Sequence, residues 1–465
     1  MILTSQLKEA CGYDWLLARL EPASPFGRAL ARAPHWYGPG EETALEQELD
    51  RVSAALALPK DGRDRTFHIL AEFHDIRGCL SRSAGSPMDE VELFEVKHFL
   101  LCLDRLVENA PQLEGLTIQP LDALLHLLDP SGRRLPPFSV ETAFDPALAP
   151  VREQKRAMEQ ELRQAEGPAR EALLARRQAL VQEEDRLELS VRRRLTAALL
   201  AEKDVLLSAM DAIGQLDLVL AKARLAKKYG CVRPIVSGNA VVTLTDMVHP
   251  QVAARLEERG QSFTPVSVEL ERGSTVITGA NMGGKSVSLK TVTLDLLLMH
   301  TGYFVFAQAM SAPLFHAVHL ICTDEQSLDR GLSSFGAEVA ALDRVLRQEK
   351  GRFFFLALDE FARGTNPREG AALARALTDR LNRPDLNCVA MLTTHYDGVS
   401  DGARRHYQVA GLKDVERGTL EDLPKLMDYR LLPAPPGAPC PRDALKVCRL
   451  LELEEELTEI FAKNI

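Results

Sequence analysis

The sequence of 465 residues lacks paired-cysteine motifs. Its eight cysteines are scattered, without a Cys-x-x-Cys pair or a Cys/His spacing typical of a metal site. This scatter favours reduced thiols in a cytoplasmic protein over a disulfide-stabilised scaffold. The first residues show no basic stretch followed by an apolar run, so no secretory signal is predicted. We therefore expect a cytoplasmic protein.

Long uncharged apolar runs are also missing. The most apolar stretch, residues 292–310, contains Asp295 and His300 and predicts a buried helix that leads into a strand, not a membrane span. An excess of positive charge is missing too, because the formal net charge is −10. This disfavours nucleic-acid binding through net charge alone, although a local basic patch stays compatible with it.

The first half of the chain has helical patterns. Apolar residues recur at helical spacing in residues 45–56 and 93–107. From residue 150 to 230, charged residues of both signs alternate with Leu and Ala, which predicts two antiparallel helical arms, 151–166 and 169–228, with a turn at Gly167-Pro168. Basic and acidic residues nearly balance in these arms, so no phosphate-binding stripe is predicted.

The second half has a β/α pattern. Short β-branched or aromatic runs at 240–244, 274–278, 352–358 and 388–393 alternate with helix-forming stretches. This alternation predicts a mostly parallel sheet. After a proline-rich linker, an acidic amphipathic helical segment is expected from residue 442 to 463.

A phosphate-binding loop is the strongest signal in the sequence. Gly279, Gly284, Lys285 and Ser286 form the pattern GxxxxGKS, between a predicted strand and the helical run 287–298. Glycines allow backbone N–H groups to surround a phosphate, and the helix N-terminus adds a positive dipole. We expect Lys285 to contact the β- and γ-phosphates of ATP and the Ser286 hydroxyl to bind Mg²⁺.

Two acids follow a second apolar strand, as a hydrolase with a phosphate loop requires. Residues 353–358 lead directly to Asp359 and Glu360. We expect Asp359 to hold the Mg²⁺ water shell and Glu360 to polarise the attacking water. A third strand ends at His395, which is predicted to contact the γ-phosphate or the water.

These motifs resemble the MutS family of ATPases. The phosphate loop TGANMGGKS, the segment 359–373 and the histidine in 393–396 are similar to the family's phosphate loop, Walker B segment and switch histidine. Residues 324–327 and 366–374 look most like the MutS II branch. The resemblance implies an α/β P-loop ATPase domain and a nucleotide site formed by Phe263, Gly279, Asn281, Met282, Gly283, Gly284, Lys285, Ser286 and Val287.

The resemblance also implies a dimer. Residues 324–335 are similar to the family's signature loop, which places serine hydroxyls in the partner's ATP site, so Ser333 and Ser334 are expected to act there. Phe263 matches the aromatic residue that stacks on adenine. Residues 428–432 and 444–453 resemble the closing helical segment used in dimerisation.

Weaker resemblances extend to the N-terminal half, where residues 12–17, 75–82 and 89–96 are similar to the family's helical core. The implied domains are a core at 1–149, arms at 150–230, an ATPase domain at 231–435 and a helical dimerisation segment at 436–465. We expect no mismatch-reading, strand-rich clamp or nuclease-like tail domain. In the clamp's place, residues 164–188 are a charged helical stretch.

Two functions follow from this reading. The first is an ATPase homodimer whose closure remodels a protein client. Clampless proteins of this kind are similar to reactivases of cobalamin-dependent aminomutases such as lysine 5,6-aminomutase. The second is a DNA mismatch-repair or recombination protein that binds duplex or branched DNA. The negative net charge and balanced arms favour the first, whereas the family's usual role favours the second.

Overall fold

The computed structural model describes residues 4–81, 86–279, 283–322, 334–412, 426–441, 444–450 and 452–464. The helices in these ranges are α1 (Ser5–Ala10), α2 (Tyr13–Leu17), α3 (Pro25–Arg32), α4 (Glu42–Ala57), α5 (Lys60–Ala71), α6 (Arg77–Leu80), α7 (Glu90–Asn109), α8 (Asp122–Leu128), α9 (Leu148–Leu162), α10 (Gly167–Ala201), α11 (Lys203–Tyr229), α12 (Pro250–Glu257), α13 (Lys285–His300), α14 (Ser334–Gln348), α15 (Pro367–Leu381), α16 (Ala444–Leu450) and α17 (Glu455–Asn464).

The strands in the same ranges lie after residue 230. They are β1 (Ile235–Val236), β2 (Val241–Met247), β3 (Val266–Glu271), β4 (Gly273–Thr278), β5 (Ala309–Ala312), β6 (Ala317–Ile321), β7 (Phe354–Leu358), β8 (Cys388–Thr394), β9 (Arg405–Leu412) and β10 (Met427–Pro433). The four predicted β runs correspond to β2, β4, β7 and β8. The apolar stretch 292–310 is the buried part of α13 and the approach to β5, as expected.

The chain divides into two compact units. Unit 1 comprises residues 1–20, 34–53 and 222–465, and unit 2 comprises residues 21–33 and 54–221. Unit 1 therefore includes two N-terminal segments as well as the β/α half. The predicted division into a core, arms, an ATPase domain and a dimerisation segment stays a prediction.

Unit 2 consists of helices. Helix α7 begins with a capping box, in which Asp89 and Glu92 each accept a backbone N–H of the other residue. Its buried face carries Phe99, whose ring contacts those of Phe26 and Phe73 edge-on. The lone Gly214 of α11 lies where a Cβ would come within 3.1 Å of the Phe26 backbone. A glycine inside this helix is therefore explained by close helix packing, which offsets its lower helix propensity.

Helices α9 and α10 form the predicted antiparallel hairpin. Gly167 has φ of +59° and Pro168 lies in the first turn of α10, so this dipeptide makes the turn. Arg152 pairs with Glu184 at 2.8 Å and Arg177 with Glu159 at 3.1 Å, in the reverse order expected of antiparallel helices. No strand occurs between residues 148 and 201, all of which the structure describes.

The second arm is not one helix, contrary to the prediction for residues 169–228. Helix α10 ends at Ala201 and α11 begins at Lys203. The N–H of Glu202 turns towards the carbonyl oxygens of Leu199 and Leu200, which closes α10 with a tight last turn. Neither a glycine nor a proline marks this break in the sequence.

Unit 1 contains the predicted mostly parallel sheet. Its six strands follow the order β10-β9-β4-β8-β7-β6, and all neighbours are parallel except β10 and β9. Strands β4, β7 and β8 are entirely buried, as strands covered on both faces require. Their carboxyl ends meet at one edge, because Ile277 pairs with Thr393 and Leu358 with Leu392. A second sheet has the order β1-β5-β2-β3.

The C-terminal part differs from the prediction in two respects. Residues 428–432 belong to strand β10, not to a helical segment, because Met427 and Leu431 face inwards while the strand pairs with β9. The tail forms two short helices in place of one, since α16 ends at Leu450 and α17 begins at Glu455. Between them, Glu452 has φ of +52°, which interrupts a right-handed helix.

No helix within the described residues is long and apolar enough to cross a membrane.

Candidate nucleotide-binding site

The phosphate loop lies between β4 and α13, as predicted. Gly279 follows β4 with φ of +153°, and a Cβ there would come within 2.9 Å of Val409. Gly284 precedes the first residue of α13 with φ of +81°. Both positions require glycine, one for space and conformation and the other for the left-handed backbone. The helix N-terminus is thus presented at the carboxyl edge of the sheet, where its dipole favours an anion.

Lys285 is the first residue of α13 and is buried, with 3% of its surface exposed. Its Nζ donates a hydrogen bond to the Gly279 carbonyl oxygen at 2.8 Å and lies 3.7 Å from Glu360 Oε1. Burial lowers the pKa of Lys285, and the negative charges of Glu360 and Asp359 oppose that effect. The ammonium group is therefore held inside the loop by carboxylates.

Two hydroxyls converge on Asp359, the residue that follows β7. Ser286 Oγ donates to Asp359 Oδ1 at 2.8 Å, and Thr393 Oγ1 donates to the same oxygen at 2.7 Å. Ser286 comes from the first turn of α13 and Thr393 from β8. Parallel pairing of β7 and β8 brings Thr393 beside Asp359, because Leu358 pairs with Leu392. Sequence reasoning identified Ser286 and Asp359 but not Thr393.

Glu360 occupies a strained backbone conformation with φ of +46°. This left-handed conformation costs a non-glycine residue about 1–3 kcal/mol, so surrounding contacts must hold it. Its N–H donates to Thr393 Oγ1 at 2.9 Å. Its carboxylate accepts from Arg363 at 2.6 Å and faces Lys285. The predicted base is therefore fixed at its backbone and paired with cations at its side chain.

His395 lies one residue beyond β8, at the same edge. Its imidazole is solvent-exposed and its ring centroid lies 4.4 Å from that of Tyr396. Partial desolvation lowers the pKa of His395, the charges of Lys285 and Arg363 act in the same direction, and Glu360 opposes them. The imidazole is thus neutral at neutral pH, and it lies within the electrostatic reach of Glu360.

A cavity of about 960 Å³ opens in front of the loop. Its wall includes Phe263, in the segment between α12 and β3, which is the residue predicted to stack on adenine. Tyr429 and Met427 of β10 line it too, and the Tyr429 ring lies 3.1 Å from where a Gly284 Cβ would stand. Sequence reasoning missed Tyr429 because it assigned residues 428–432 to a helix. The other lining residues are Val252, Leu256, Gly260, Gln261, Ser262, Thr264, Val266, Gly283, Gly284, Lys285, Ser286, Val287, Ser288, Glu360 and Arg363.

Asn281, Met282 and Ser333 lie outside the described residues, as does most of the loop 324–335. Ser334 is described only as the first backbone position of α14. The predicted roles of these residues stay predictions.

The donor set at Asp359 fits Mg²⁺. Ser286 and Asp359 provide oxygen only, which is the ligand type that Mg²⁺ prefers, and they already lie within one hydrogen bond of each other. Among the described residues, no group of three His, Cys, Asp or Glu side chains could hold a metal alone. Mg²⁺ bound with a nucleotide needs only one or two protein ligands, because phosphates and water complete its coordination.

Comparison with known proteins finds one domain family that matches the segment containing this site. The family described as MutS domain V matches residues 275–423, from β4 to beyond β9. Proteins named Endonuclease MutS2 are similar to part of the chain. The one from Thermomicrobium roseum is 35% identical over 274 residues, which are 57% of this chain and 33% of the relative.

Two further relatives have a similar identity and cover a similar share of this chain. Endonuclease MutS2 of Latilactobacillus sakei is 32% identical over 263 residues, covering 56% of this chain and 32% of its own. Endonuclease MutS2 of a Geobacillus species is 30% identical over 275 residues, which are 58% of this chain and 33% of the relative. The similarity thus spans about a third of the length of these relatives. The P-loop and the strand end that carries two carboxylates therefore lie in a segment that matches MutS domain V.

Proposed function

We propose that this protein binds ATP with Mg²⁺ and hydrolyses it at the carboxyl edge of the six-stranded sheet. The observation that carries the proposal is the convergence of Ser286 and Thr393 on Asp359, next to Lys285 and Glu360. These side chains come from α13, from the two residues after β7 and from β8, so three separate parts of the chain contribute to one site. A lysine and two carboxylates gathered beside a helix N-terminus are typical of a site that binds phosphate and Mg²⁺.

Each side chain has a task that follows from its position. The N–H groups at the start of α13 and the Lys285 ammonium would bind the phosphates. Ser286 and Asp359 would hold Mg²⁺, which supplies charge neutralisation at the phosphates when bound. Glu360 would orient and polarise the attacking water, and His395 would contact the γ-phosphate or that water.

The cavity wall supports adenine binding between aromatic residues. Phe263 and Tyr429 both line the cavity, and their rings offer apolar faces on which a base can stack. Burial raises the pKa of Tyr429, so its hydroxyl stays protonated at neutral pH.

Hydrolysis is tested by replacing Glu360 with Gln, which keeps the shape but removes the base. We expect the Glu360→Gln protein to bind ATP and to hydrolyse it roughly 10²–10⁴-fold more slowly than the parent. Phosphate release and equilibrium binding of a fluorescent ADP analogue measure the two properties separately. Glu369→Gln, at an exposed position of α15, is the matched control. Equal turnover in the Glu360→Gln protein and the parent would rule out this base.

We also propose that the protein acts as a homodimer through its ATPase domains and that ATP-driven closure remodels a protein client. Support comes from the hairpin α9–α10, where several basic side chains already pair with carboxylates. Arg152 pairs with Glu184 and Glu188, and Arg177 pairs with Glu159. Paired arginines offer little to phosphates, because binding DNA would require them to exchange partners. The aminomutase hypothesis rests on the sequence resemblance alone.

DNA is the second candidate client, and the name of the similar proteins, Endonuclease MutS2, favours it. The two candidates differ in the response of turnover to duplex. If the client is a protein, mismatched or branched duplex changes the ATPase rate little at physiological salt. Weak DNA binding, if seen at low salt, should disappear there, since phosphate contacts weaken steeply with salt. Several-fold stimulation at submicromolar duplex would overturn the protein-client proposal. Stimulation by a cobalamin-dependent aminomutase would identify the client class.

A further inference from the structure

The Thr393 hydroxyl forms hydrogen bonds with both of the acids that follow β7. Thr393 is buried, with 1% of its surface exposed, and it is the second-last residue of strand β8. Its Oγ1 donates to Asp359 Oδ1 at 2.7 Å and accepts the N–H of Glu360 at 2.9 Å. A single hydroxyl therefore uses its hydrogen for one acid and a lone pair for the backbone of the other.

The backbone of Glu360 needs this support. Its left-handed φ of +46° is unfavourable for a residue with a side chain, and its N–H has the Thr393 hydroxyl as its partner. The same turn is held at its other end. Ala362, with φ of +66°, donates its N–H to Glu338 at 3.0 Å and accepts the Tyr396 hydroxyl at 3.3 Å. Of these contacts, only that of Thr393 reaches both acids.

The hydroxyl also determines how the Asp359 carboxylate is presented. Thr393 and Ser286 both donate to Oδ1, from β8 and from the start of α13. These two bonds fix the plane of the carboxylate and leave Oδ2 as the oxygen that neither hydroxyl engages. A cation at this edge would therefore meet a carboxylate whose orientation is already determined.

We infer that Thr393 is a positioning residue, which orients the Asp359 carboxylate towards a divalent cation and holds the Glu360 backbone in its strained conformation. The inference rests on the proposed function, because it assigns a role within that site. It predicts that the hydroxyl, and not the size of the side chain, is what the site requires. Thr393 would then affect cation binding and turnover without contacting the nucleotide.

The test compares Thr393→Val, which has the same shape without the hydroxyl, with Thr393→Ser, which keeps it. Thr275→Val is the matched control, since Thr275 lies buried on the adjacent strand β4 and its hydroxyl has no partner among the described residues. Three quantities are measured on each full-length protein: ATP turnover, the Mg²⁺ concentration at half-maximal effect, and binding of a fluorescent ADP analogue with and without Mg²⁺. Thermal unfolding midpoints show whether each variant folds.

We expect Thr393→Val to lower turnover about tenfold or more, the size that loss of one hydrogen bond to a charged group accounts for. Its Mg²⁺ requirement should rise several-fold in both turnover and ADP binding, while ADP binding without Mg²⁺ stays unchanged. Thr393→Ser should recover most of the loss, and Thr275→Val should match the parent.

Parent-like turnover and Mg²⁺ requirement in Thr393→Val would overturn the inference. So would an equal loss in Thr393→Ser and Thr393→Val, which applies even if the valine variant folds poorly, because the serine variant keeps the hydroxyl. Failure of the proposed function is distinguishable, since the parent itself would then show no Mg²⁺-dependent hydrolysis.

Discussion

The two ends of helix α13 bury polar side chains in different ways. At its start, Lys285 is enclosed near Glu360 and Asp359, whose negative charges favour its ammonium form. Further along, Asp295 is entirely buried and accepts the Phe306 N–H at 2.9 Å, and burial raises its pKa to about 7. One end thus keeps a compensated charge, whereas the other favours the neutral form of its acid.

His300, the last residue of α13, is also buried and also favours its neutral form. Its Nδ1 lies 2.7 Å from the Tyr37 carbonyl oxygen, and its Nε2 accepts the Phe315 N–H at 3.3 Å. These contacts assign the neutral tautomer with hydrogen on Nδ1. Burial lowers the pKa of His300 to about 4, so it stays neutral at neutral pH.

The contrast distinguishes burial at the proposed nucleotide site from burial in the rest of the same helix. Asp295 and His300 have perturbed pKa values caused by desolvation, and their polar contacts are to backbone groups. Lys285, in contrast, has acidic neighbours at the end of strand β7. The proposed nucleotide site therefore differs from the rest of the helix in its opposite charges, whereas perturbed pKa values occur in both places.

The largest effect is expected from Lys285→Ala, which removes the compensated charge. Nucleotide binding should become undetectable, because Glu360 and Asp359 would then repel the phosphates without a cation between them. Binding of a fluorescent ADP analogue measures this. Lys290→Ala, on the same helix and outside the cavity wall, is the control. Tight binding by the Lys285→Ala protein would contradict the assigned site.

The same variant tests the proposed dimer. Mixed with Ser334→Ala, it should recover part of the turnover, because in a mixed dimer one site combines an intact Lys285 with an intact serine from the partner subunit. No recovery, together with a monomer in sedimentation with ATP, would rule out action between subunits.

A smaller effect is expected at the structural end. The pKa of Asp295 in the folded protein is about 7, above the ordinary value of 3.8. The stability gained from its protonated form is therefore fully present only below pH 3.8 and is lost progressively as the pH rises from there through 7. Asp295→Asn keeps an acceptor for Phe306 but cannot ionise. Relative to this variant, the parent should lose up to about 4 kcal/mol between pH 4 and 8.

Chemical denaturation of both proteins at several pH values measures this difference, and the subtraction removes the titration of all other groups. Asp64→Asn, at an exposed position of α5, is the control and should keep the parent's pH dependence. Parallel stability profiles for the parent and Asp295→Asn would show that Asp295 is ionised throughout.

The candidate nucleotide site could be located from sequence because its main motifs are local. Gly279, Gly284, Lys285 and Ser286 lie within one short segment, and the acids follow an uninterrupted apolar strand. The remaining residues depend on pairing between distant segments. Tyr429 reaches the cavity through the antiparallel pairing of β10 with β9, whose partners are far from the phosphate loop in sequence.

The sheet and helix types were predictable for a similar reason, whereas boundaries were not. Residue periodicity indicated β2, β4, β7, β8 and the hairpin α9–α10. The end of α10 at Ala201 depends on how the Glu202 N–H bonds to earlier carbonyls, for which no glycine or proline gives a signal. Thr393 shows the same limit within the site, since only the register between β7 and β8 places its hydroxyl beside Asp359.

The smallest effect is expected on the pKa of His395. This pKa depends on desolvation, as at Asp295, and on neighbouring charges, as at Lys285. Partial desolvation, Lys285 and Arg363 lower its pKa, and Glu360 opposes them, so its titration midpoint should lie below the ordinary 6.5. Glu360→Gln removes the opposing charge and should lower the midpoint further, whereas Arg363→Ala should raise it. Imidazole signals of histidine-labelled protein, with His395→Gln for assignment, report each midpoint by NMR. As the pH falls, the neutral imidazole is retained to lower pH in the Glu360→Gln protein than in the parent. A midpoint that responds to neither substitution would mean that His395 lies beyond the field of the two charged groups, and its proposed role near the γ-phosphate would be lost with it.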